Sequence, residues 1–195
     1  MELILVRHGR PARMETSSDP HLNEIGLEQA RRAAAWLARE PIDATWSSTM
    51  LRAVQTAEAY AGLVGHEVQK HPGIVEFDRN SGVYIPTEEL KKENFEAWQA
   101  MATGGHGVDM AEFQKMVVDG MEEIIAAHPG GKVAVFCHGG VINVWAAHVL
   151  GMEPRVFFEA DYTSLNRFLA ARSGQRAVVS LNERAHLLDD VRRPA

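Results

Sequence analysis

The chain has 195 residues, 46% of them hydrophobic, and 20 Lys and Arg against 26 Asp and Glu give a formal charge of −6. This length fits one compact domain, the apolar content excludes a disordered chain, and no run nears the ~20 apolar residues of a membrane helix. The acidic balance argues against a nucleic-acid-binding face, which needs clustered positive charge, but leaves room for a small anion pocket built from a few cations.

Met1 to His8 lacks the basic leader of a signal peptide, so a cytoplasmic location is expected. Leu3–Val6 reads as a buried strand. Asn23 can cap a helix running to about Arg39, which Pro41 stops. Ala44–Ser47 is a second short strand, followed by a helix over about Met50–Leu63 with Gly62 and Gly65 near its end. A short strand is expected around Val68, and residues 77–86 carry loop chemistry. Helical patterns return at 87–101 and 109–127, separated by Gly104, Gly105 and Gly107, and Pro129-Gly130-Gly131 ends the second. Val133–Cys137 is a strongly apolar strand of buried type, and a helix follows to Leu150. Leu165–Ala170 and Ala177–Leu181 read as two further strands, and the last ten residues as a tail. Strands alternating with helices predict an α/β sandwich with a mostly parallel sheet, as one domain over 1–195. Sites in such folds form beyond the carboxyl ends of the strands.

Three such ends stand out. Arg7-His8-Gly9 follows the first strand, Ser47 through Arg52 the second, and His138-Gly139-Gly140 the strand ending at Cys137. Two arginines and two histidines are thereby expected at one rim. Glycine beside each histidine lets a ligand approach the backbone, and the helix starting near Gly140 adds N–H groups and a positive dipole end. Such a pocket suits a compact dianion like a phosphoryl group, which the planar fork of arginine matches at any working pH. A neutral imidazole can accept a phosphoryl group, and a second, protonated one can stabilise the transferring charge. The leaving alkoxide needs a general acid, with candidates in Val75-Glu76-Phe77-Asp78, and nearby phosphate should raise that acid's pKa. Singly, each residue has a plainer role: a hydrogen-bonded histidine, a solvated arginine, an exposed carboxylate. Cys137, the single cysteine, excludes an internal disulfide and lies in an apolar strand, where it reads as core. No His-x-x-x-His or Cys-x-x-Cys pair suggests a metal.

Together these residues resemble the histidine phosphatase superfamily, in its phosphoglycerate mutase-like branch. Arg7-His8-Gly9 is its hallmark, Leu22–Ala30 resembles its first-helix pattern, Ser47–Ala57 its second motif and Val133–Gly140 its third. The resemblance implies a three-layer α/β/α sandwich with a mostly parallel central sheet. It implies His8 as the nucleophile that forms a phosphohistidine, with Arg7, Arg52, His138 and Gly139 around the phosphoryl group. Glu76 matches the proton donor, with Asp78 as second choice, because Phe77-Asp78-Arg79-Asn80-Ser81-Gly82-Val83-Tyr84 replaces the family's usual continuation. His138 also counts among the catalytic residues, and neither a metal nor an organic cofactor is implied. Met14 stands where mutases carry Asn, and the long mutase insertion is lacking. A metal-independent phosphomonoesterase is therefore expected, ahead of a phosphoglycerate mutase and of a poorly catalytic module that binds phospho-ligands. Its partner would be a small phosphorylated metabolite, or else a phosphoprotein, and not nucleic acid or membrane; a homodimer is compatible with the sequence. Residues 78–108 are expected to form a cap, with Gly104-Gly105-His106-Gly107 as a turn in it, and Arg10 and Arg13 either to add positive charge at the entrance or to serve as ordinary surface residues.

Overall fold

The computed structural model describes residues 1–102 and 107–192. The N-terminal apolar run becomes the inner strand β1 (Glu2–Arg7), whose Leu3, Ile4, Leu5 and Val6 are each 0% exposed. The other strands are β2 (Ala44–Ser48), β3 (Val68–His71), β4 (Lys132–Cys137), β5 (Leu165–Ala170) and β6 (Arg176–Glu183), in the order β3-β2-β4-β1-β5-β6. The pairings β2–β3, β2–β4 and β1–β4 are parallel, while β5 runs antiparallel to β1 and β6 antiparallel to β5.

Alternation along β1 explains the layers. Leu3 and Leu5 point to one face, with Val133 and Val135 of β4, and pack against α5 (Met110–Ala127) and α6 (Gly139–Leu150) through Val117, Met121 and Trp145. Ile4 and Val6, with Ala134 and Phe136, point to the other face and meet α1 (Glu24–Leu37) and α2 (Leu51–Val64) through Leu37, Ala57 and Tyr60. A sheet covered on both faces needs continuous apolar runs rather than alternating ones, as β1 and β4 have. The expected three-layer α/β/α sandwich is thus present.

Two segments differ from expectation. The helix predicted over 87–101 is two helices, α3 (Thr87–Glu93) and α4 (Phe95–Ala102). Asn94 breaks it: its backbone leaves the helical region at φ −149, and its Oδ1 accepts the Ala97 amide, capping the second helix. The expected C-terminal tail instead forms 3-10 turns over Ala185–Arg192, where His186 Nε2 lies 3.0 Å from Thr163 Oγ1. Of the glycine turn expected in the cap, residues 104–106 lie outside the described residues.

The loop after β1 is built by close backbone contact. A Cβ on Gly26 would stand 2.0 Å from the Arg10 carbonyl oxygen, and one on Gly9 would stand 2.5 Å from the Gly26 oxygen. Both obstacles are backbone, which cannot rotate away. Gly26→Ala is expected to destabilise the fold by roughly 2–3 kcal/mol. The lower urea midpoint, at an unchanged slope, measures it; an unchanged midpoint would show that the loop can give way freely.

Candidate active site

β1, β2 and β4 are parallel neighbours, so their carboxyl ends share one rim. His8 leaves β1 there, its amide donating to Cys137 O at 2.9 Å. Arg52 lies in the first turn of α2, and His138 is the residue before α6. All three are buried, at 2%, 1% and 0% exposure. The His8 and His138 rings are 5.2 Å apart. The structure therefore brings together Arg7, His8, Arg52, His138 and Glu76, the residues singled out from the sequence.

The tautomer of His8 follows from its partners. Its Nδ1 is 2.8 Å from Gly9 O, an acceptor only, so Nδ1 carries the proton. Nε2 then presents a lone pair, to which Arg52 Nε–H donates at 3.2 Å. Burial, and then the charges of Arg52 and Arg7, hold His8 well below the ordinary histidine pKa, so the ring is neutral. Thr56 ties this loop to α2: its hydroxyl accepts from the Gly9 amide at 3.0 Å and donates to Arg52 O at 2.7 Å.

His138 differs from the protonated imidazole allowed by the sequence. Burial, then Arg52, His8 and Arg7, keep it neutral in the pocket as it stands. Its Nε2 is 2.8 Å from Ser48 Oγ, which already accepts the Met50 amide at 3.2 Å. The Ser48 proton is then free to go to Nε2, leaving the ring proton on Nδ1, a buried atom without a protein partner. The result is a buried ring N–H without a protein partner, on a ring 5.2 Å from that of His8. Gly139 is the first residue of α6, so its amide has no partner within the helix.

Both arginines are positioned by neutral groups as well as charge. Arg7 Nη1 donates to Ala160 O at 2.5 Å, and Tyr162 covers its guanidinium face at 4.1 Å. Arg52 Nη1 donates to Ser18 O at 2.8 Å, and Tyr84 lies under it at 4.9 Å. Asn143, on α6, supports Arg7 indirectly: it bonds Gly139 O and the backbone of Phe157 and Phe158, holding the segment that leads to Ala160. Tyr162 sits in the site because β5 is antiparallel to β1, which brings the start of β5 beside the end of β1. Thr163 is fixed at φ 58, an unfavourable region for a β-branched residue, with its amide 3.1 Å from Arg7 O. Neither tyrosine was identified from sequence; a signal for Tyr162 exists only once the strand direction is known.

Glu76 is 7% exposed, its carboxylate accepting the Gly140 amide at 2.9 Å and the Phe77 amide at 3.1 Å. A Cβ on Gly140 would come 2.2 Å from Glu76 Oε1, so glycine is needed for this approach. Burial, and then the charge of Asp78, push the Glu76 pKa up to about 7 against the two amides and Arg52. Burial also raises the Cys137 thiol, in keeping with a core residue. Arg10 and Arg13 do not stand as spare positive charge: Arg10 pairs with Glu89 at 3.2 Å and Arg13 with Glu93 at 2.6 Å, linking the loop after β1 to α3. Among the described residues no cluster of three or more His, Cys, Asp or Glu could hold a metal ion, and no helix is long and apolar enough to cross a membrane.

Residues 3–184 match the family model of the histidine phosphatase superfamily, branch 1. The chain belongs to the histidine phosphatase superfamily. Phosphoserine phosphatase 1 of Hydrogenobacter thermophilus is 27% identical, with 96% of this chain and 94% of that protein covered. Phosphoglycerate mutase-like protein 4 of Arabidopsis thaliana is 28% identical over 73% of this chain and 68% of its own length. A crystal structure of phosphoserine phosphatase from Entamoeba histolytica, in complex with 3-phosphoglyceric acid, superposes with a TM-score of 0.75 at 25% identity, covering 96% of this chain and 99% of that one. Family and fold thus bear out the resemblance seen in the sequence, and the phosphatases among the relatives bear out the expected class of enzyme.

Proposed function

We propose that the protein is a metal-independent phosphomonoesterase in which His8 Nε2 takes the phosphoryl group of a small phosphorylated metabolite. The observation that carries this reading is the fixed tautomer of His8, with Nδ1–H on Gly9 O and the Nε2 lone pair among Arg52, Arg7 and His138. In the first step Nε2 bonds to phosphorus, the ester P–O bond breaks, and Glu76 gives its proton to the departing oxygen. Arg7, Arg52, the Nδ1–H of His138 and the Gly139 amide bind the phosphoryl oxygens as charge shifts onto them. Arg52 Nε–H passes from the imidazole to a phosphoryl oxygen in the process. In the second step Glu76, now a carboxylate, takes a proton from water, which attacks phosphorus. The P–N bond breaks, inorganic phosphate leaves, and both His8 and Glu76 regain their starting states.

Residues 78–102 and 107–108 act in this reading as a cap, held to the nucleophile loop by Arg10–Glu89 and Arg13–Glu93. A cytoplasmic working place goes with it, since charged phosphomonoesters do not cross membranes unaided. The mutase-like relative motivates the other enzymatic reading, and the product distinguishes the two. Incubated with phosphoserine, phosphoglycerate and aryl phosphates in chelator, the protein is expected to release inorganic phosphate. An isomerised phosphoester with no phosphate released would overturn the phosphatase reading in favour of a mutase. Tight phosphate binding without turnover of any ester would favour a binding module.

Arg52→Ala is expected to lower kcat/KM roughly 100- to 1,000-fold, the usual effect of removing one donor to transition-state charge. Steady-state kinetics on an aryl phosphate measure it. A loss below tenfold would mean that Arg52 supports the loop and does not hold the phosphoryl group.

A further inference from the structure

Asp78, the second choice of proton donor in the sequence, stands against Arg52 in the pocket. Its Oδ1 accepts from Arg52 Nη2 at 3.0 Å, while the same guanidinium bonds His8 Nε2 through Nε and Ser18 O through Nη1. The arginine side chain is 1% exposed and that of Asp78 26%, so Asp78 is the member of the pair nearer the solvent. The carboxylate thus bonds the cation that touches the nucleophile, on the side away from Ser18. It is held there by a turn, with Ser81 N–H donating to Asp78 O at 2.9 Å. Arg7, the other cation, is anchored by a neutral carbonyl instead.

We propose that Asp78 is an internal anion that competes with the phosphoryl group for Arg52, keeping the affinity for bare inorganic phosphate low and so favouring release of product. The inference rests on the phosphatase reading above. Two positive charges face a dianion well; with Asp78 ionised, the net charge offered to it is halved. A whole ester offsets the competition through contacts made by the rest of its structure, and inorganic phosphate has no such contacts. Asp78 therefore separates substrate from product, a role distinct from that of the proton donor. Burial raises the Asp78 pKa above the ordinary aspartate value, and the charge and hydrogen bond of Arg52 oppose that rise by favouring the carboxylate engaged with the guanidinium. Glu76 is bonded instead by two backbone amides and has a pKa near 7.

The test is direct binding of inorganic phosphate, by calorimetry, to the native protein and to Asp78→Asn, with Asp78→Ser as a second variant and thermal melts to establish that each is folded. Asn keeps the shape and one acceptor while removing the charge. Phosphate is expected to bind the variants about tenfold more tightly or better, and the product-inhibition constant to fall in step. A simple supporting role for Asp78 predicts the opposite, since a misplaced Arg52 binds phosphate worse. Unchanged or weaker binding in the folded variants overturns the proposal, as does selective loss of turnover on poor leaving groups without tighter binding, which would make Asp78 the acid. Phosphate binding that is present in the native protein and lost in Arg52→Ala tests the pocket separately. If neither native protein nor variants bind phosphate there, the phosphatase reading falls and the proposal with it.

Discussion

Replacing His8 with alanine is expected to reduce turnover of an activated aryl phosphate by roughly 10⁴-fold or more, with chelator present throughout. The size follows from what the ring supplies. Arg7, Arg52 and His138 bind and stabilise charge, and they survive the substitution. The covalent route does not, because among the described residues no other nucleophile is in place: the Cys137 thiol is fully buried in β4 with its pKa pushed up. Ser48 Oγ is engaged with His138 and Met50. The variant should still fold, since His8 is held by its backbone to Cys137 and Thr163 as well as through its ring. Rapid acid-free quenching of the native enzyme should trap a phosphoryl group on the peptide that contains His8, stable to base and labile to acid. Turnover that persists in His8→Ala, or a phosphoryl group on another residue, would remove the central assignment.

The sequence carried the rim of the site for a definable reason. Arg7 ends a parallel strand, His8, Arg52 and His138 each follow one by a few residues, and parallel strands in one sheet end at one edge. Their meeting therefore required only the strand assignments. The same rule failed for Tyr162, because a segment that precedes a strand lies at this edge only if that strand is antiparallel, and periodicity does not report direction. Tyr84 was hidden for a different cause, and for the same cause Asp78, legible as the second choice of proton donor, gave no sign of its bond to Arg52. They come from the loop after the Pro72–Ile74 3-10 turn, and the path of that loop is set by pairings such as Tyr84 with Met14, where each amide bonds the other's carbonyl. No local pattern encodes such a contact. Asn94 was readable in principle: Asn three residues before an amide it can cap is a helix start, though it was overridden by the apolar pattern across 87–101. The C-terminal turns were missed because a polar, charged segment resembles a tail until His186 meets Thr163. Its docking is reflected in the His186 pKa, lowered to about 4 by burial and the charge of Arg32.

Glu76 carries the second large effect. A general acid must be protonated when the ester oxygen leaves, while the nucleophile beside it must be neutral. In solution these requirements conflict, since a carboxyl group loses its proton well below the pH at which imidazole does. Burial resolves the conflict by acting on the charged form of each. It raises the Glu76 pKa to about 7 and depresses that of His8, so the order is inverted. Between the two values, both groups are in the productive state without a minority species. The sign for activity follows. As pH rises through about 7, Glu76 loses its proton and kcat/KM for an alkyl phosphate should fall; as pH drops, the limit comes only when His8 protonates, well below the ordinary histidine value. Glu76→Gln should lower kcat/KM for alkyl phosphates about 100- to 10,000-fold and abolish the decline above pH 7, while activated aryl phosphates, whose leaving oxygen needs little protonation, lose far less. The measurement is kcat/KM against pH for one alkyl and one aryl phosphate, in both proteins. Equal losses on the two esters, or a basic limb that survives the substitution, would transfer the acid role away from Glu76. A limb that moves to lower pH in Asp78→Asn would instead support it, because the charge of Asp78 is the second cause, after burial, that holds the Glu76 proton in place.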